Sequence, residues 1–115
     1  MKISMPGSKL VVAAIAATTL CHPALEAAAD GQRLVVEIRG FEFIPDAPAL
    51  SPGDVVLWRN RDLVPHTVTA EDRSWDSGLI EAGGEWEITI TDDMIGTYYC
   101  RFHPSMIATI NISPE

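Results

Sequence analysis

The chain has 115 residues, 16 Asp and Glu against 8 Lys and Arg, a formal net charge of -8 and 47% hydrophobic residues. That length fits one domain and excludes a multidomain enzyme. The acidic balance argues against a nucleic-acid binder, because phosphate contacts need a basic surface.

The first 29 residues have a character of their own. Lys2 and Lys9 form a short positive region, and Leu10 to Leu20 is an uncharged apolar run of 11 residues. Small residues follow and end in Ala27-Ala28-Ala29. This is the three-part layout of a secretory signal peptide with an A-x-A site, and it predicts cleavage after Ala29. The run is shorter than the roughly 20 residues a membrane-spanning helix needs, so no span is expected in the mature chain. Removing 29 of 115 residues leaves 86. Lys2, Lys9 and Glu26 leave with the segment, so the net charge moves from -8 to -9. Cys21 and His22 leave too, which makes Cys100 the lone cysteine and His66 and His103 the two histidines of residues 30–115. Periplasm or extracellular space is the expected location. An unpaired thiol in such an oxidising compartment needs a reason, such as an intermolecular bond, deep burial or a metal.

The mature region has period-2 signals and no convincing helix. Leu34 to Arg39 alternates as a half-buried strand. Ser51-Pro52-Gly53-Asp54 is a turn signal. Val55 to Trp58 follows as a strand apolar on both faces. Asn60, Asp62 and Pro65 mark a loop, and His66 to Thr69 is a short β-prone run. Trp75 to Leu79 is broken by Gly78, and Gly83-Gly84 turns the chain. Glu85 to Thr91 alternates, with Trp86, Ile88 and Ile90 inward. Asp92 to Ile95 reads as one helical turn. Gly96 to Phe102 reads as a strand with Tyr98, Cys100 and Phe102 on one face. Ile107 to Ile112 is the last strand, with Ala108, Ile110 and Ile112 on one face. About six to eight strands with frequent turns predict an all-β, single-domain Greek-key sandwich or barrel. Trp58, Trp86 and Tyr98 are expected in its core.

The chemistry gathers in Tyr98-Tyr99-Cys100-Arg101-Phe102-His103-Pro104-Ser105-Met106. Cys100, His103 and Met106 are spaced by three and three, where a strand ends and a tight loop is expected. Thiolate, imidazole and thioether form a soft set that suits copper. His66 is the one remaining histidine, 34 residues upstream. Two histidines and a cysteine make a trigonal set, with Met106 as the weak axial ligand. Each residue alone is more often structural, since buried cysteines and methionines are ordinary core residues. Their convergence in one short chain is the signal. Zinc competes for a Cys/His/His set, but Met is a poor zinc ligand and zinc-finger spacing is missing. No H-E-x-x-H or Gly-rich phosphate loop occurs.

From about Leu34 to Ile112 the sequence resembles the small blue copper proteins, the cupredoxins of plastocyanin, amicyanin and pseudoazurin type. The matching pieces are Phe43-Ile44-Pro45, Pro52-Gly53-Asp54-Val55-Val56, Trp58-Arg59-Asn60, Pro65-His66-Thr67-Val68, Asp76-Ser77-Gly78, Gly96 to Cys100 and His103 to Met106. The two-residue gaps on both sides of His103 look most like the short loop of amicyanin. The resemblance implies equatorial ligands at His66, Cys100 and His103 and an axial ligand at Met106. Thr67 stands where the family often has Asn, so any hydrogen bond tying the loop would come from a hydroxyl. The resemblance also implies a near-surface edge of His103 ringed by Pro104, Leu63, Val64 and Pro65, a small transient docking surface. The expected function is one-electron transport by a monomer. The acidic charge favours a redox partner with a basic patch, such as a c-type cytochrome or a periplasmic dehydrogenase or reductase; acidity also simply keeps secreted proteins soluble. Four protein ligands leave no open position for a substrate, so no enzyme is expected. Copper delivery or buffering uses the same ligands and is the alternative, although Met94 and Met106 are the only methionines beyond residue 29. A third reading is a subunit serving a larger oxidase, or a sensor.

Overall fold

The computed structural model describes Gly7 and residues 31–114. The expected signal segment and its cleavage point lie outside the described residues, Gly7 apart. Nine strands follow one another: β1 (Arg33–Arg39), β2 (Glu42–Ile44), β3 (Ala49–Leu50), β4 (Val55–Asn60), β5 (Thr69–Ala70), β6 (Glu85–Thr89), β7 (Thr97–Cys100), β8 (His103–Thr109) and β9 (Asn111–Ile112). There is no helix among the described residues, and no helix there is long and apolar enough to cross a membrane. The all-β expectation holds. The strand number exceeds the expected six to eight because β3, β5 and β9 are two-residue strands without a pattern long enough to read.

One sheet has the order β2-β1-β4-β6, a second β5-β7-β8, and β3 pairs with β9. β1 and β4 run parallel, with Arg33 opposite Val55 and Ile38 opposite Asn60. A parallel pair needs a crossover, so the chain leaves this sheet through β3 before returning as β4. The alternation of β1 buries Val36 and Ile38 and leaves Arg33 and Arg39 outside. β4 is central and buried along both faces, as its apolar run requires.

The two larger sheets face each other across an aromatic core. Tyr98 of β7 meets Trp58 of β4 and Phe43 of β2, with ring centroids 5.5 and 4.7 Å apart. Trp58 and Tyr98 are fully buried, and Trp86 packs on Trp58 from β6, half-buried. Trp75, which sequence left in a broken stretch, is also core. Gly96 explains how tightly the last strands close: a Cβ there would run into the carbonyl oxygen of Ile110, and Ile110 N–H bonds to Gly96 O at 2.8 Å.

Three expectations are corrected. Asp92 to Ile95 is a turn and not a helical one; Met94 N–H reaches Thr91 O at a long 3.4 Å. The register shifts between Tyr99 and Cys100, so β7 ends at Cys100 and Phe102 turns outward, 54% exposed. A bulge of this kind breaks the two-residue alternation. His66 is not the start of a strand; it makes an isolated bridge to Ile80, and β5 begins at Thr69.

Candidate metal centre

The spacing of three between Cys100 and His103 is a hairpin. The two residues pair across the β7–β8 turn, with Arg101 and Phe102 at its tip. This puts the Cys100 sulfur 3.7 Å from His103 Nδ1. The expected loop after Cys100 is thus a tight turn, and β8 starts at His103 itself. Beyond it Pro104 and Ser105 are exposed and Met106 is buried, 4% exposed. Residues three apart on a regular strand face opposite ways; the irregular start of β8 leaves both His103 and Met106 partly or fully covered. Met106 forms part of a groove that Phe41, Phe43 and Ile44 also line.

His66 arrives from the other side. Its backbone exchanges two hydrogen bonds with Ile80, at 3.1 and 2.8 Å. The preceding loop is fixed by Asn60, whose amide donates to Val64 O at 2.8 Å and Ile80 O at 3.0 Å and whose Oδ1 accepts from Asp62 N–H at 3.0 Å. These bonds aim His66 Nδ1 at the Cys100 sulfur, 3.6 Å away. The three donor atoms of His66, Cys100 and His103 all lie within 4.8 Å of one another. His66 and Cys100 are fully buried and His103 is half-buried.

Thr67 ties the two sides together. Its N–H points at the Cys100 sulfur at 3.4 Å, and its hydroxyl accepts from Arg101 N–H at 2.9 Å. That hydroxyl also bonds to Thr69, which donates to Asp76. The hydroxyl expected at this position therefore does tie the ligand loops.

Two residues that sequence did not single out complete the site. The Asp62 carboxylate lies 2.8 Å from His66 Nε2 and accepts backbone N–H groups from Gly40 and Phe41 at 2.6 and 3.0 Å. Burial works to raise the Asp62 carboxyl, but these bonds and the His66 contact together hold it below its ordinary value. The Phe41 ring stands edge-on to His66 and His103, with centroids 5.3 and 4.8 Å away. The signal for Asp62 was its place four residues before a candidate ligand, since ligand histidines usually give their second nitrogen to a carboxylate or carbonyl. Phe41 left no signal, being an aromatic in a turn.

Around this end Leu63 is 95%, Phe102 54% and Phe41 48% exposed. Pro104 and Val64 are exposed, while Pro65 is half-covered. Phe41 and Phe102 add exposed apolar surface next to His103, where Arg101 and Ser105 are exposed as well.

No family model matches the chain. No curated protein matches it. Solved structures do. A copper-containing nitrite reductase from Thermus scotoductus SA-01 is 21% identical, with a TM-score of 0.65 over 72% of this chain. This chain spans only 23% of that enzyme. A purple cupredoxin from Nitrosopumilus maritimus is 22% identical, with a TM-score of 0.64 over 70% of this chain and 99% of its own. A mutant of amicyanin in its Cu(I) form is 24% identical, with a TM-score of 0.64 over 79% of this chain and 95% of its own. The chain has the cupredoxin fold, and its clustered His66, Cys100 and His103, with Met106 following on β8, make up the residue set typical of a type 1 copper site.

Proposed function

We propose that the protein is a one-electron carrier whose copper centre is held by His66, Cys100, His103 and Met106. The observation that carries this reading is the convergence of two imidazole nitrogens and one thiol sulfur within 4.8 Å, at the end of a packed sandwich. Bound copper supplies a one-electron couple between Cu(I) and Cu(II). The chain's own residues keep the donors still. The Cys100–His103 hairpin fixes two of them, the Ile80 bridge and Asn60 fix His66, and Thr67 N–H reaches the sulfur. Donors that need not move when charge changes suit electron transfer. Burial of His66 and Cys100 counts against copper delivery, which needs exchangeable ligands. With four protein ligands there is no open position, so the reading is a carrier and not an enzyme.

The carrier works in the periplasm or outside the cell, after removal of residues 1–29. The intact mass of the exported protein checks this. Electrons leave or enter through the apolar end at His103, and the acidic charge steers a redox protein with a basic patch, such as a c-type cytochrome or a periplasmic dehydrogenase or reductase. Its association rate is expected to fall steeply with added salt; a flat dependence would remove steering.

The decisive experiment loads the protein with Cu(II) and records visible and EPR spectra. An intense thiolate-to-copper band, absent in Cys100→Ala, is expected. A colourless protein holding zinc would overturn the reading. Reversible voltammetry then separates a carrier from a copper-delivery protein.

A further inference from the structure

The turn between β1 and β2 is built against its own preference. Gly40 has φ 60° and Phe41 φ 61°. Both central residues of this two-residue hairpin are therefore left-handed, a geometry that favours Asn, Asp or Gly. A phenylalanine there is strained, and such strain persists only where surrounding contacts over-determine it. The contact that does so is Asp62. One of its oxygens takes Gly40 N–H, and the other takes Phe41 N–H and faces His66 Nε2. The Asp62 side chain is only 10% exposed and that of His66 is fully buried, so little water competes.

We propose that Asp62 is a positioning residue for the metal centre, locking the His66 ring in one tautomer and holding the Gly40–Phe41 turn so that the Phe41 ring braces both histidines. An ionised carboxylate only accepts hydrogen bonds. This contact favours the neutral His66 ring with its proton on Nε2, so that Nδ1, the atom facing Cys100, is the one that can offer a lone pair to a metal. An asparagine accepts or donates, so it no longer dictates that choice. The carboxylate is also a negative charge one ring away from the donor atoms, and it favours the more positive oxidation state of a bound metal. This role rests on the copper reading for its redox part only.

The test is Asp62→Asn, which keeps the side-chain size. In the copper-loaded variant the preference for Cu(II) over Cu(I) is expected to drop about tenfold, the scale of a lost outer partner, which raises the midpoint by about 59 mV for one electron. In the metal-free variant, nitrogen-15 NMR is expected to show His66 mixing tautomers, where the parent protein holds Nε2–H. The proposal stands only if both change. An unmoved midpoint, or a tautomer unaffected by the substitution, overturns it. A parent metal-free protein that carries the His66 proton mainly on Nδ1 overturns it without any variant. A parent protein that binds no copper removes the carrier reading separately, and the tautomer measurement still decides the role of Asp62.

Discussion

Two buried regions of this small sandwich are held by different physics. In the aromatic core, Trp58, Trp75, Trp86 and Tyr98 meet one another at centroid distances of 5.5 to 6.4 Å. Among the described residues, two side-chain hydrogen bonds serve those four rings, Trp58 to Tyr98 at 3.3 Å and Trp75 to Ile95 O at 3.0 Å. At the metal centre, His66, Thr67, Asn60 and Asp62 each hold a named partner through a named atom. Area stabilises the first region, and many weak contacts share the load. Direction stabilises the second, and each bond has no substitute. The core should therefore govern stability, while the centre should govern spectrum and potential.

The largest stability effect tests the first half of that statement. Trp58→Ala is expected to cost about 3–5 kcal/mol in urea unfolding. The copper band of the fraction that remains folded should keep its position. A displaced band would mean that the two regions are one cooperative unit. Thr67→Val is the reverse experiment. It removes the hydroxyl that accepts Arg101 N–H and joins Thr69, at a cost of about 1–3 kcal/mol. Its copper spectrum and midpoint should shift more than those of Trp58→Ala, although its loss of stability is smaller.

Tyr98→Phe is smaller still, about 1 kcal/mol at neutral pH for the bond to Trp58. Burial pushes the Tyr98 phenol far above its usual range, and the Trp58 hydrogen bond only partly offsets this. A folded value above the unfolded one means that its contribution is complete below about pH 10 and is lost as pH rises toward the folded value. The parent protein should thus lose stability above about pH 10, and Tyr98→Phe should lose less over the same interval; urea melts at neutral and alkaline pH decide it. The smallest effect belongs to neither region. Arg59 and Glu85 pair at 2.8 Å with both side chains over one-third exposed, so Arg59→Ala should cost less than about 1 kcal/mol and leave the spectrum alone.

Sequence reached the core strands and the Cys100–His103 pair through local spacing, and His66 as the one other histidine of residues 30–115. The alternation of Leu34 to Arg39 and the apolar run at Val55 to Trp58 became β1 and β4 in place. The gap of three from Cys100 to His103 became a hairpin pair, and the solitary His66 came to meet it. What failed depends on contacts distant in sequence or on broken registers. Phe102 was placed inward by parity, and the three-residue shift in register between Tyr99 and Cys100, from Met106 to His103 as the partner of Cys100, turned it out. Asp62 read as loop punctuation because its backbone partners, Gly40 and Phe41, lie more than 20 residues away. Trp75 looked like part of an interrupted stretch because its packing partners come from β4, β6 and β7.

The parallel pairing of β1 with β4 has a consequence for synthesis. All four strands of the first sheet precede Cys100 in the chain, and three of them precede His66. In N-to-C order, the surface that will cover the thiol is made before the thiol itself. Chain order thus shortens the interval in which the Cys100 thiol could be captured by another thiol before the sandwich closes over it.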